Sequence, residues 1–298
     1  MQPLLEVEGL KKTYPGFQLN GVSFSIYEDC ITGFIGANGA GKTTCIRSIL
    51  RLISHEAGTI KFKGKDISKA EKSFKNSIGV VFDEGFFYDE LTLTQMKNLI
   101  ASSYSHWDNG AYTHYLDAFS LRPDQTISSL SRGMKMKFSL ALALSHHAEL
   151  LIMDEPTAAL SISEIEDLFR VIRKLKSKGI SIIYISHRLE ELFEITDCIT
   201  VMRDGAYINT FVTKESSLPE LIRSMVGREV SWEKKNHSNV APDSPVLLEV
   251  RGMESHLIKN ASFQLHKGEI LGIGGLMGAG RTELARLVFG ADWRKHGR

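Results

Sequence analysis

The run Gly36-Ala37-Asn38-Gly39-Ala40-Gly41-Lys42-Thr43-Thr44 constrains this chain more than any other stretch, because it joins an apolar segment to a helix-forming one. Ile31 to Ile35 reads as a short buried strand and Thr44 to Leu52 as a helix, the setting that a G-x-x-x-x-G-K-[ST] phosphate loop requires. Glycines let successive backbone N–H groups turn toward one anion at the positive end of that helix, so Gly36, Asn38, Gly39 and Gly41 are expected to surround a β-phosphate. Lys42 would reach the β and γ oxygens, and the Thr43 hydroxyl would hold Mg²⁺. Thr44 completes the expected nucleotide contacts.

Composition narrows the classes that remain. With 43% apolar and 24% charged residues over 298 positions, the chain has material for one large or two medium globular domains. A net charge of +1 removes any argument for a nucleic-acid surface driven by bulk charge, so no nucleic-acid partner is expected. No apolar stretch approaches the roughly 20 residues of a spanning helix, so membrane attachment is expected to come through a partner. The start Met1-Gln2-Pro3 shows no basic region followed by an apolar one, so no secretory signal is expected. Cys30, Cys45 and Cys198 lack metal-ligand spacing and fit a reducing compartment, with Cys45 read as a core residue.

Internal repetition sets the domain count. Leu4-Leu5-Glu6-Val7-Glu8-Gly9-Leu10 returns as Leu247-Leu248-Glu249-Val250-Arg251-Gly252-Met253, and Asn20-Gly21-Val22-Ser23-Phe24 returns as Lys259-Asn260-Ala261-Ser262-Phe263. A second glycine loop follows at Gly275 to Thr282, with Arg281 where the first has lysine, and then a helix from Thr282 to Phe289. The expected division is a complete domain over residues 1–230, a linker over 231–244 that is polar and holds Pro242, and the start of a second copy over 245–298.

Within the first copy, strands are expected near Leu4 to Leu10, Val22 to Ile26, Ile31 to Ile35, Thr59 to Phe62 and Ile78 to Phe82. Helices follow at Leu93 to Ser103, Ala111 to Phe119 and Ser131 to Ser145. Leu150 to Glu155 is an apolar strand ending in two carboxylates, and Ser161 with Glu164 forms a capping box ahead of a helix that Gly179 closes. A strand Ile180 to Ile185 leads to Ser186-His187, and Ser217-Leu218-Pro219 opens a last helix ended by Gly227. Strands alternating with helices predict a mainly parallel α/β sheet. Asp154 is placed to hold Mg²⁺ with Thr43, and Glu155 to polarise an attacking water.

Taken in order, the phosphate loop, Leu130-Ser131-Arg132-Gly133-Met134, the strand ending in Asp154-Glu155 and His187 resemble the ATP-binding subunits of ATP-binding-cassette (ABC) transporters. The resemblance implies a P-loop NTPase of ABC type, with a mainly parallel core sheet, an antiparallel β subdomain and a helical signature subdomain. It implies ATP and Mg²⁺ as ligands, His187 as a switch donating to the γ-phosphate, and Tyr14 stacking on adenine. It also implies head-to-tail pairing with a second ABC domain, in a homo- or heterodimer, so that Ser131 and Gly133 cap the ATP held by the other cassette. Transmembrane permease subunits would then place the chain at the cytoplasmic face of the cell membrane.

Four positions depart from the family pattern. Asp83 stands where a metal-contacting glutamine is usual, Arg132 and Met134 replace the usual glycine and glutamine, and Ser161 occupies a common aspartate position. From Asp154 onward, Asp154-Glu155-Pro156-Thr157, Ser186-His187-Arg188-Leu189-Glu190-Glu191 and the altered second loop resemble duplicated ATPases of monosaccharide importers, whose partners include a periplasmic or extracellular sugar-binding protein. Before it, Val81-Phe82-Asp83-Glu84-Gly85-Phe86-Phe87-Tyr88 and Arg132-Gly133-Met134-Lys135 resemble exporter-type or antibiotic-responsive ATPases, as a mosaic would. The importer reading is favoured because duplication belongs to it. A soluble ATPase acting on ribosomes or DNA is the other class, and the absence of sustained heptads between the loop and Ser131 weighs against it.

Overall fold

A computed structural model describes residues 2–82, 87–158, 160–227, 240, 244–275 and 278–297. The chain divides into two compact units, Met1–Val230 and Ser231–Arg298. Most of the expected linker lies outside the described residues, as does Asp83.

In the first unit, β1 (Pro3–Tyr14), β2 (Phe17–Tyr27), β4 (Ala57–Phe62) and the two-residue β5 (Lys65–Asp66) form an antiparallel sheet in the order β2-β1-β4-β5. A six-stranded sheet carries the loop. It is built from β3 (Ile31–Ile35), β6 (Ile78–Phe82), β7 (Leu150–Asp154), β8 (Ser181–Ile185), β9 (Cys198–Arg203) and β10 (Ala206–Val212) in the order β10-β9-β3-β8-β7-β6. Every pairing in it is parallel except β9 with β10, which form a hairpin through Asp204 and Gly205 at φ +50° and +74°. The central strands β3 and β8 are buried along their whole length, as expected of strands covered on both faces.

The first-unit helices are α1 (Lys42–Ile49), α2 (Glu71–Ser77), α3 (Leu93–Ala101), α4 (Asn109–Ala118), α5 (Arg132–Leu144), α6 (Ile162–Lys176), α7 (Leu189–Ile195) and α8 (Leu218–Val226). Helix α6 starts at the predicted capping box: Ser161 Oγ accepts from Glu164 N–H, and Glu164 Oε2 accepts from Ser161 N–H at 2.9 Å. Its Leu168, Phe169, Ile172 and Leu175 are buried against the sheet. Helix α7 packs on β3 because Gly33 leaves room; a Cβ there would lie 3.1 Å from both Leu192 Cδ2 and Thr196 Cγ2. Helices α3, α4 and α5 share a separate core around Tyr112, Leu116 and Phe138.

The second unit contains β11 (Val246–Met253), β12 (Ala261–His266) and α9 (Arg281–Phe289). The two strands pair antiparallel, and Val250, Met253, Ile258 and Leu287 form a small core. Residues 269–275 adopt no strand, although they follow the repeat toward its glycine loop.

Candidate nucleotide-binding and catalytic site

Because β3 is held on both sides, by β8 and β9, it delivers the glycine loop from a fixed point. A Cβ on Gly36 would fall 2.3 Å from the Met202 carbonyl oxygen, and one on Gly41 would fall 2.6 Å from Leu19 Cδ2. Gly41 also holds φ +101°, so both space and backbone require glycine there. The β9–β10 turn braces the loop from outside, with Gly205 N–H donating to the Ala40 carbonyl at 3.2 Å.

Helix α1 begins at Lys42, two residues earlier than the sequence pattern suggested, with Gly41 as its N-cap and no side-chain cap. Its N-cap thus offers no side-chain acceptor to the first N–H groups, an arrangement suited to an anion. Lys42 Nζ donates to the Gly36 carbonyl at 2.6 Å and to the Ala37 carbonyl at 3.3 Å. Burial pushes this ammonium below its ordinary pKa, while the negative charges of Glu155 and Asp154 push it back up.

Strand β7 ends at Asp154 and places Glu155 just beyond the sheet edge. Glu155 takes a left-handed backbone at φ +49°, fixed by its N–H donating to the Ile185 carbonyl at 3.0 Å. Its Oε2 meets His187 Nδ1 at 2.7 Å. The carboxylate is largely covered, whereas the His187 side chain is 65% exposed, so the pair has a covered carboxylate side and an open histidine side.

A cavity of about 780 Å³ gathers most of the expected groups: Asn38, Gly39, Gly41, Lys42, Thr43, Thr44, Asp154 and Glu155 line it together. Gly36 sits at the root of the loop and His187 joins through Glu155. Ser131 and Gly133 do not line it. They lie at the start of α5, where Ser131 Oγ caps the helix by accepting from Met134 N–H at 3.2 Å. Tyr14 does not line it either; its cross-strand neighbour Phe17 does, with Gly16 and Ile185. The Tyr14-Pro15-Gly16 sequence marks the turn but not which flanking aromatic faces inward. Sequence reasoning also missed Gly205, for which the Asp-Gly dipeptide was an available hairpin signal.

An oxygen donor set of one hydroxyl, Thr43, and one carboxylate, Asp154, on the same cavity suits Mg²⁺, which commonly takes one or two protein carboxylates and fills its shell with phosphate and water. Among the described residues, no three His, Cys, Asp or Glu side chains form a metal cage.

A mainly parallel sheet, a glycine loop leading into a helix, and a paired carboxylate and histidine at the neighbouring strand ends define a P-loop nucleotide-binding cassette. The family described as ABC transporter matches residues 19–158. Residues 19–158 thus resemble the ATP-binding domain of that family. The chain is 37% identical over 302 residues to the ribose import ATP-binding protein RbsA of Lacticaseibacillus paracasei, covering 97% of this chain and 60% of that protein. It is 33% identical over 309 residues to the galactose/methyl galactoside import ATP-binding protein MglA of Pasteurella multocida, covering 99% and 60%. The chain thus spans about three fifths of the length of these curated relatives, and both alignments run across the region where the exporter-like and importer-like motifs meet. Among solved structures, an ATP-binding subunit of an ABC transporter superposes with TM-score 0.67 at 26% identity, covering 75% of this chain and 99% of that one. The ADP conformation of the cassette MJ1267 superposes at 0.65 with 25% identity, covering 76% and 100%. No helix among the described residues is long and apolar enough to cross a membrane.

Proposed function

We propose that this chain binds and hydrolyses ATP as the nucleotide-binding subunit of a bacterial monosaccharide importer. The observation that carries the hydrolytic reading is the meeting of the glycine loop, Lys42, Thr43, Asp154 and Glu155 on one cavity, with His187 held against Glu155 at 2.7 Å. The triphosphate lies along the loop N–H groups and the start of α1, and adenine packs at the β1–β2 turn, where Tyr14 is exposed beside Phe17. Lys42 leaves the Gly36 and Ala37 carbonyls for the β and γ oxygens, where its charge offsets the charge developing on the leaving group. Mg²⁺ held by Thr43 and Asp154 supplies further neutralisation of the phosphates. Glu155 accepts a hydrogen bond from water in line with the γ-phosphorus; the new P–O bond forms as the bond to the β–γ bridging oxygen breaks, giving ADP and phosphate. His187 donates to the γ-phosphate and registers its loss.

Residues 1–230 act as the complete cassette, 231–244 as a linker, and 245–298 as the beginning of a second one. The separation of Ser131 and Gly133 from the cavity supports pairing with another ABC domain, whose nucleotide they would cap. Permease subunits hold the assembly at the cytoplasmic face of the membrane. The sugar assignment is supported by the full-span likeness to ribose and galactose import proteins. The test is purification of the full chain from membranes together with a permease, followed by ATPase assay with a sugar-loaded binding protein. Stimulation by ribose- or galactose-loaded protein is expected; absence of any permease from the purified material overturns the transport reading.

A further inference from the structure

Glu191, on α7, has only 7% of its surface exposed, a place where an ionised carboxylate is costly unless its lone pairs are used. Four side chains use them. Oε2 accepts from the hydroxyls of Thr157 at 2.7 Å, Tyr184 at 3.0 Å and Ser186 at 3.1 Å, and Oε1 accepts from Arg188 Nη1 at 2.7 Å. Thr157, Tyr184 and Ser186 are themselves buried, so none of the three hydroxyls has water as a ready substitute.

The donors come from three segments. Thr157 lies two residues beyond Glu155, Tyr184 lies in β8, and Ser186 and Arg188 flank His187 on either side. Ser186 Oγ also accepts from the Arg188 N–H at 3.0 Å, which closes the loop around the histidine. Anchoring α7 to the sheet would need only the Tyr184 bond. The remaining three bonds tie the turn that carries Glu155 to the loop that carries His187.

We propose that Glu191 is a positioning residue that sets the contact between Glu155 and His187, and so the alignment of the hydrolytic water. The proposal rests on the reading of Glu155 as the group that polarises that water. An acid is needed because two oxygens must face four donors; a glutamine has one acceptor oxygen, so it gives up either Arg188 or the three hydroxyls.

The test uses the full chain carrying Glu191→Gln, Thr157→Val or Thr157→Ser, with Glu155→Gln as comparator. Expected is a fall in kcat of about 10- to 100-fold for Glu191→Gln and Thr157→Val, the range a small misplacement of reacting groups produces, with affinity for a fluorescent ATP analogue unchanged. Thr157→Ser, which restores the hydroxyl, should recover the wild-type kcat. In protein labelled with ¹⁵N-histidine, the His187 ring signals should move in Glu191→Gln and Thr157→Val toward their positions in Glu155→Gln. Should Glu191→Gln fail to fold, the Thr157→Val and Thr157→Ser pair decides: equal kcat in the two overturns the positioning role. Wild-type kcat in Glu191→Gln and Thr157→Val beside an inactive Glu155→Gln also overturns it while leaving Glu155 in place. Wild-type turnover in Glu155→Gln would instead remove the hydrolytic reading itself.

Discussion

Gly41 and Gly280 end their loops in the same left-handed backbone, at φ +101° and +83°, and each hands the chain directly to a helix, α1 in the first unit and α9 in the second. Upstream the two regions part. Ile31–Ile35 is a fully buried strand with parallel partners on both sides, whereas residues 269–275 form no strand and leave Ile270 98% exposed. Helix α1 buries Cys45, Ile46, Ser48 and Ile49; α9 buries Leu287. A glycine-capped helix start is written in a few neighbouring residues. A central parallel strand exists only when strands distant in sequence supply its hydrogen bonds, as β8 and β9 do for β3. The helix start of a phosphate loop is thus local, while the strand that leads into it must be provided by the whole sheet.

The largest effect should come from Glu155→Gln. Turnover is expected to fall by about 10²- to 10⁴-fold with analogue binding retained, since the second unit has no strand among its described residues that ends in paired carboxylates. Near-wild-type turnover would break the comparison by assigning activity elsewhere. Next, Lys42→Ala should weaken the analogue by on the order of 100-fold, the value of a charged hydrogen-bonding group, while Arg281→Ala leaves it unchanged. Equal affinities for wild type and Lys42→Ala would remove Lys42 from the phosphates. Gly36→Ala forces a Cβ onto the Met202 carbonyl and should cost about 1–3 kcal/mol in chemical denaturation; Gly272→Ala, in open space, should cost far less.

Two smaller effects sharpen the picture further. Burial pushes the Cys45 thiol up to about 12, so site-resolved alkylation near neutral pH should spare Cys45 and modify Leu284→Cys on α9 much faster. Comparable rates would mean that the two helices are equally open. Ending the chain after Gly227 should leave ATPase activity unchanged and raise solubility, because Ile270, Phe289 and Trp293 are at least 88% exposed. Loss of activity in a variant still folded by circular dichroism would show that the second unit completes the site.

Elements with local signals were legible in the sequence. Strands β3 and β6 run over the residues expected, and the Ser161–Glu164 box starts α6 where it was read. Helix α7, seven residues long, is too short to display a helical period, and β9 and β10 are marked in the sequence only by the Asp204-Gly205 turn between them. The candidate site followed the same division. Lys42, Thr43, Asp154 and Glu155 are named by motif, whereas Phe17 on the cavity, Gly205 behind the loop and Glu191 beneath His187 depend on segments that only the folded sheet brings together.

Glu155 carries its side chain on a left-handed backbone, a conformation that costs a non-glycine residue about 1–3 kcal/mol. Glycine would relieve that strain and keep the N–H bond to Ile185. If Glu155 polarises the attacking water as proposed, the shortest mutational route to a sturdier protein passes through an inactive one, and selection for turnover is what holds glutamate in place. A library of variants at this codon, screened for heat resistance alone and then sequenced, is expected to fill with Glu155→Gly and Glu155→Asn; the same library screened for ATP turnover should return glutamate.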